Sequence, residues 1–192
     1  MNAGMRPWRQ ARRDKILMAA ANLFAAQPYA QVQMDEVAQA AGMGKPTLYR
    51  YFPSKADLFF AVFEHALEAL GLRLDEIASA RLEPSERIDA MIRALFEMLA
   101  NQIATLRQLE GEGGDMAGRW RGVYRRRRTN LLKQIRTVLA AAQAGGAAKH
   151  LDLDAAPAMI MGMVRGGLMG AAGMPLERLI SAAQTIIRPV RY

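Results

Sequence analysis

The stretch VAQAAGMGKPTLYRYFPSKADLF, residues 37–59, decides the fold. Gly42 suits the left-handed position that ends a helix, so a helix over 34–41 is predicted to stop there. Pro53 closes a second, very short helix over 45–51, and Ser54 is a good N-cap for the next. Ala38 is small enough to face a neighbouring helix, Gly42 supplies the turn and Leu48 can plug a core. That is the spacing of a helix-turn-helix, whose second helix lies in the DNA major groove. Such a helix can be short, because only its N-terminal turns meet base edges.

The side chains on that short helix suit the task. Lys45 can donate to guanine O6 and N7. Pro46 and Thr47 offer a flat apolar surface and a hydroxyl. Tyr49 and Tyr51 have long reach and a terminal hydroxyl for phosphate oxygens. Lys55 begins the following helix, whose free N–H groups also favour a phosphate. Phe52 is read as turned inward.

At these residues the sequence resembles the tetracycline-repressor (TetR) family. The resemblance rests on Gly42, Thr47-Leu48-Tyr49, Tyr51-Phe52, Ser54-Lys55 and Leu58, with Tyr29 and the first helix before them. It implies an all-α chain of about nine helices. Residues 1–55 would form the N-terminal arm and a three-helix helix-turn-helix DNA-binding domain, and 56–192 a C-terminal helical ligand-binding and dimerisation domain. It implies base or groove contacts at Lys45, Pro46 and Tyr49 and phosphate contacts at Thr47, Tyr51 and Lys55. It further implies a cytoplasmic homodimer, a repressor of a palindromic double-stranded operator, released by a small-molecule effector. Members often carry Ser or Thr before the second helix and Ser before the third. Here Gln33 and Gly44 stand there, and Gln is a poor N-cap. Asp35 would repel phosphate.

Outward from this unit the helical period continues. A first helix over 10–26 carries Ile16, Leu17, Ala20, Leu23 and Phe24 on one face, and Pro28 stops it. The N-terminal MRPWRQARR has two open readings, an arm along phosphates or in the minor groove and a solubilising tail. Further helices are predicted over 55–80, from Pro84 or Ser85 to Ala104, and in a short sixth segment before GEGGD (111–115), a break. Others follow over 116–144, from an Asp154 cap to Ala172, and onward from Pro175.

Phe63, Phe96, Leu99, Ile103, Met116, Trp120 and Tyr124 are candidates to line an effector pocket, and each serves equally as plain core. Arg127 and Arg128 fall at the two edges of the apolar stripe of 116–144. Arg128 is carried as a ligand candidate, against the reading of a solvated basic face. Gly162, Gly166 and Gly170 recur every four residues, although glycine costs about 1 kcal/mol against alanine in a helix. Close helix approach explains the spacing. The resemblance places the last two helices of each subunit in a four-helix dimer interface, so these glycines and Leu179, Ala183 and Ile186 are candidate interface residues. Packing within one subunit is the alternative.

Composition narrows the classes. The net charge is +8, and residues 1–55 hold eight Lys and Arg against three Asp and Glu. That concentration points to a polyanionic partner for the N-terminal part. Cysteine is absent, which excludes disulfides and thiolate metal sites. Only His65 and His150 are present as histidines, far apart. No metal site, cofactor or catalytic constellation is therefore expected, and the chain is read as no enzyme. ILMAAANLFAA (16–26) follows a basic stretch as a leader would, but Asn22 interrupts it and its period is that of an amphipathic helix. The run 155–174 could span a bilayer by length. Arg165 at its middle would cost about 2.5–3.5 kcal/mol, so no membrane span is expected.

Overall fold

The computed structural model describes residues 7–109, 116–170 and 173–188, and side chains for the same residues except 101–109 and 116–117. The described residues form eight α-helices: α1 Pro7–Ala26, α2 Met34–Ala40, α3 Lys45–Tyr51, α4 Lys55–Ser79, α5 Pro84–Leu109, α6 Met116–Ala144, α7 Ala156–Gly170 and α8 Leu176–Ile187. The fold class is all-α, as expected. The helix count is one fewer than expected, because the predicted short sixth segment is the end of α5. Neither glycine nor proline occurs between Pro84 and Leu109 to break it. The predicted break at 111–115 lies outside the described residues.

Two helix starts also differ from expectation. The first helix begins at Pro7, so residues 7–13 of the expected arm are helical; proline tolerates a first turn because its missing N–H would be unpaired there. At the start of α7 the capping carboxylate is Asp152 rather than Asp154. Asp152 Oδ1 accepts from the N–H groups of Asp154 (2.7 Å) and Ala155 (3.2 Å), which holds its carboxyl below the usual range. Asp154 pairs with Arg136 instead.

The chain divides into two compact units, residues 1–65 with 105–123 and residues 66–104 with 124–192. The boundary read from sequence after residue 55 falls inside the first of these units, where aromatic contacts join α4 and α6 to the N-terminal helices. Phe59 of α4 packs edge-on against Phe24, Tyr29 and Phe60, with ring centroids 5.4, 5.6 and 5.4 Å away. Phe63 stacks on Trp120 at 5.9 Å. The start of α4 and of α6 thus supplies the core beneath α1–α3. Ile16, Leu17, Ala20, Val37, Ala38 and Leu48 fill the rest, all buried.

In the second unit, Leu70, Leu74 and Ile77 of α4 are buried, as are Ile88, Met91, Ile92, Leu95 and Phe96 of α5. So are Leu131, Ile135, Val138 and Leu139 of α6, and Ile160, Val164, Ile180 and Ile187 from α7 and α8. Arg87 of α5 caps the end of α4 by donating to the carbonyls of Ile77 (3.1 Å) and Ala80 (2.7 Å). The Arg93 guanidinium grips both carboxylate oxygens of Glu177 at 2.7 and 2.9 Å and so ties α5 to α8. Gly146 ends α6 at φ +97°, a conformation a side chain would resist.

Candidate nucleic-acid interface

The turn between α2 and α3 is built by its backbone. Gly42 adopts φ +65°. Its N–H donates to Gln39 O, and the Met43 N–H donates to Ala38 O, both at 2.9 Å, closing the end of α2. The doubtful start of α2 is held from the other side. Gln33 offers a poor cap, but Glu36 reaches back and accepts the Gln33 N–H at 3.2 Å. Gly44 precedes α3 in extended conformation, with Pro46 in the first turn. Leu48, fully buried, and Phe52 anchor α3 from beneath, as the sequence suggested for both. Ser54 caps α4 by accepting the Asp57 N–H at 3.1 Å.

That bracing leaves one face of α3 outward. Lys45, Pro46 and Tyr49 are exposed, and Thr47 and Tyr51 are half-buried. Lys45 is not a loose cation. Its ammonium lies 2.9 and 3.0 Å from the two carboxylate oxygens of Asp35 on α2, which raises its pKa above the ordinary lysine value.

Lys55 is engaged within the chain. It was expected to meet phosphate, but its Nζ donates to the carbonyls of Tyr29 (2.9 Å), Ala30 (3.2 Å) and Val32 (3.2 Å), and lies 4.4 Å from the Tyr29 ring centroid. An ammonium has three donors, and all three are engaged. Lys55 therefore closes the loop between α1 and α2. Lys55→Met should lower stability by about 1–2 kcal/mol, a loss visible as a lower thermal midpoint.

Of three cations on α1, Arg12 and Arg13 belong to the arm read from sequence as a possible phosphate contact, and Lys15 was not singled out. Lys15 lies against the turn, where a Cβ built on Gly42 would come within 3.3 Å of its Nζ. Arg13 sits over the Phe52 ring at 5.7 Å, and Arg12 over Trp8 at 5.4 Å. Arg12 and Lys15 stand i, i+3 on α1, but only the packing of α1 on α2 shows where that face leads. Asp57 accepts from the Ser54 hydroxyl at 2.7 Å and from Arg119 at 2.6 Å, which together lower its pKa.

The ligand candidates are found in both units. Phe63 and Trp120 lie in the first unit; Phe96, Leu99 and the half-buried Tyr124 lie in the second. The side chains of Ile103 and Met116 lie outside the described residues. Arg128, the ligand candidate of the pair, is exposed to solvent. Arg127 is the one that turns to a cavity of about 340 Å³, lined also by Leu67, Glu68, Gly71, Leu72, Asn130, Leu131 and Gln134, and it pairs there with Glu68.

The interface candidates separate more cleanly. Gly162, Gly166 and Gly170 are exposed, and a Cβ on any of them would meet nothing within 4 Å. Met159 and Met169, 72% and 54% exposed, lie on the same helix at matching spacing, and Ile186 of α8 is 71% exposed. Leu179 is half-buried. Ala183 differs from them: it is 2% exposed and buried within the subunit, as Ile180 and Ile187 are.

The helices that build this face lie in the part of the chain that a family of known proteins matches. A family model described as bacterial regulatory proteins, tetR family, matches residues 16–62, which span α1–α3 and the start of α4. The HTH-type transcriptional activator FasR of Mycolicibacterium smegmatis is 32% identical over 96 residues, which cover 50% of this chain and 44% of that protein. A solved TetR transcription regulatory protein from Mycobacterium vanbaalenii is 27% identical, with a TM-score of 0.67, covering 95% of this chain and all of that one. The regulator FadR from Bacillus subtilis, solved with stearoyl-CoA, is 22% identical with a TM-score of 0.60, covering 93% and 99% of the two chains. The matches to the first curated relatives cover 44% to 60% of those proteins' own length.

Proposed function

Because the chain belongs to the tetR family of bacterial regulatory proteins, whose members are transcriptional regulators and not enzymes, we propose that it is a repressor acting on a palindromic operator. It does so as a homodimer, and a small molecule bound by the C-terminal unit releases it. The observation that carries this reading is the outward face of α3. A seven-residue helix held from below by Leu48 and Phe52 presents Lys45, Pro46 and Tyr49 to solvent. Nothing in the packing of a helical unit requires those three to project.

Two copies set about 34–36 Å apart would read successive major grooves of one palindrome. The glycine face of α7 with Ile186 suits the second copy. Release is a population shift, in which the effector prefers a state that fits DNA poorly. The same fold in Bacillus subtilis FadR holds stearoyl-CoA, which supports a small-molecule effector here without assigning its chemistry.

Selection of bound duplexes from random or genomic fragments would define the operator. On that operator, Tyr49→Ala and Lys45→Ala are each expected to weaken binding about tenfold per subunit, with the thermal midpoint unchanged. Full affinity in both variants, measured by fluorescence anisotropy, would remove α3 from the interface. FasR is named an activator, and that favours a second reading in which the bound protein raises transcription. A reporter carrying the selected site separates the two by the sign of the change on deleting the protein.

A further inference from the structure

Asp35 stands in a place that is costly for a DNA-binding surface. It is exposed in the first turn of α2, and its carboxylate faces the leading residue of α3. Helix capping does not require it there, because Glu36 already holds the Gln33 N–H. Stability does not require it either, since an exposed ion pair contributes little to a fold. Both oxygens of Asp35 nevertheless lie within 3.0 Å of the Lys45 ammonium.

A lysine ammonium is a compact charge on a flexible stem. Left alone at a groove it can settle on any nearby phosphate, and phosphate contacts carry no sequence information. We infer that Asp35 is a specificity-determining positioning residue: acting through Lys45, it withholds one positive charge from the phosphates and commits that ammonium to base edges.

The chemistry of the pair supports both halves of that statement. A carboxylate repels phosphate, so the pair is disfavoured wherever the protein rests on backbone alone. At the floor of the major groove the same carboxylate can accept from cytosine N4, while the ammonium donates to guanine O6 and N7. A donor and an acceptor held side by side fit base edges, which present both kinds of group, and fit a phosphate, which only accepts, poorly. Asp35 thus weakens binding to arbitrary sequence more than it weakens binding to the chosen one.

This inference rests on the proposed DNA-binding role of α3, and one experiment separates the two. The full-length protein and its Asp35→Asn, Lys45→Gln and double variants are measured on the selected operator and on a random-sequence duplex, across a salt series. Asparagine keeps the shape of the side chain and removes its charge. Asp35→Asn is expected to tighten random-sequence binding about tenfold and to steepen its salt slope by about one, the signature of one more phosphate contact. Operator preference should fall by a similar factor, and in the Lys45→Gln background Asp35→Asn should change little. If Asp35→Asn leaves the operator preference unchanged, or acts equally with and without Lys45, Asp35 is only a source of general repulsion and the inference fails alone. If the wild-type protein enriches no sequence, the DNA-binding reading itself fails and takes the inference with it.

Discussion

Phe59→Ala is expected to lower the stability of the N-terminal unit by about 3–5 kcal/mol, among the larger effects a single substitution can have. The ring is 2% exposed, with three aromatic neighbours set edge-on within 5.6 Å. Alanine there removes the transfer energy of the ring, the edge-to-face contacts with its neighbours, and leaves a cavity rigid rings cannot fill. The thermal midpoint should fall by roughly 6–20 °C for a chain of this size. Operator binding should vanish at temperatures where the wild type still binds, because α3 rests on the same core. Phe59→Leu keeps most of the volume and should recover a large part of the loss. An alanine variant that melts with the wild type would mean that the aromatic cluster is not the support of the helix-turn-helix.

Ile186→Asp is expected to leave the subunit folded and to separate it from its partner. The side chain is 71% exposed, so its replacement disturbs little within the chain. Across an interface of small residues and methionines, a carboxylate would be buried without a counter-charge, which strongly disfavours association. Sedimentation equilibrium should show monomers where the wild type shows dimers. Operator affinity should fall on the order of a hundredfold or more, because linking two weak half-site contacts multiplies affinity by roughly 10²–10⁴. A variant that remains dimeric would move the interface away from α8. One that becomes monomeric with operator affinity intact would dismiss the palindrome.

The helix-turn-helix was legible in the sequence because local chemistry dictates it. Glycine takes the φ of +65° at Gly42 without strain, and Ser54, Leu48 and Phe52 have one sensible orientation each once the helices are placed. The period of α4, α5 and α6 was equally plain, since buried residues return every three or four positions. What stayed hidden depends on contacts between distant segments. A lysine looks the same in sequence whether it meets a phosphate or three carbonyls, so the engagement of Lys55 did not show there. Ala183 and Ile186 differ by less than one helical turn, yet one faces in and one out, and the predicted stripe did not separate them. Arg127 and Arg128 are neighbours that the sequence could not separate for a similar reason: a rotation of 100° decides which meets Glu68.

The three carbonyls around Lys55 carry a consequence for how this position tolerates change. Tyr29, Ala30 and Val32 direct their oxygens at one point, and a rounded cation with its hydrogens spread like a tripod can satisfy all of them together. A flat guanidinium points its hydrogens within a single plane and cannot converge on that spot, whatever its charge. Arginine, the exchange most often regarded as harmless for lysine, would here pry the bend after α1 open, so geometry rather than charge sets which cation belongs.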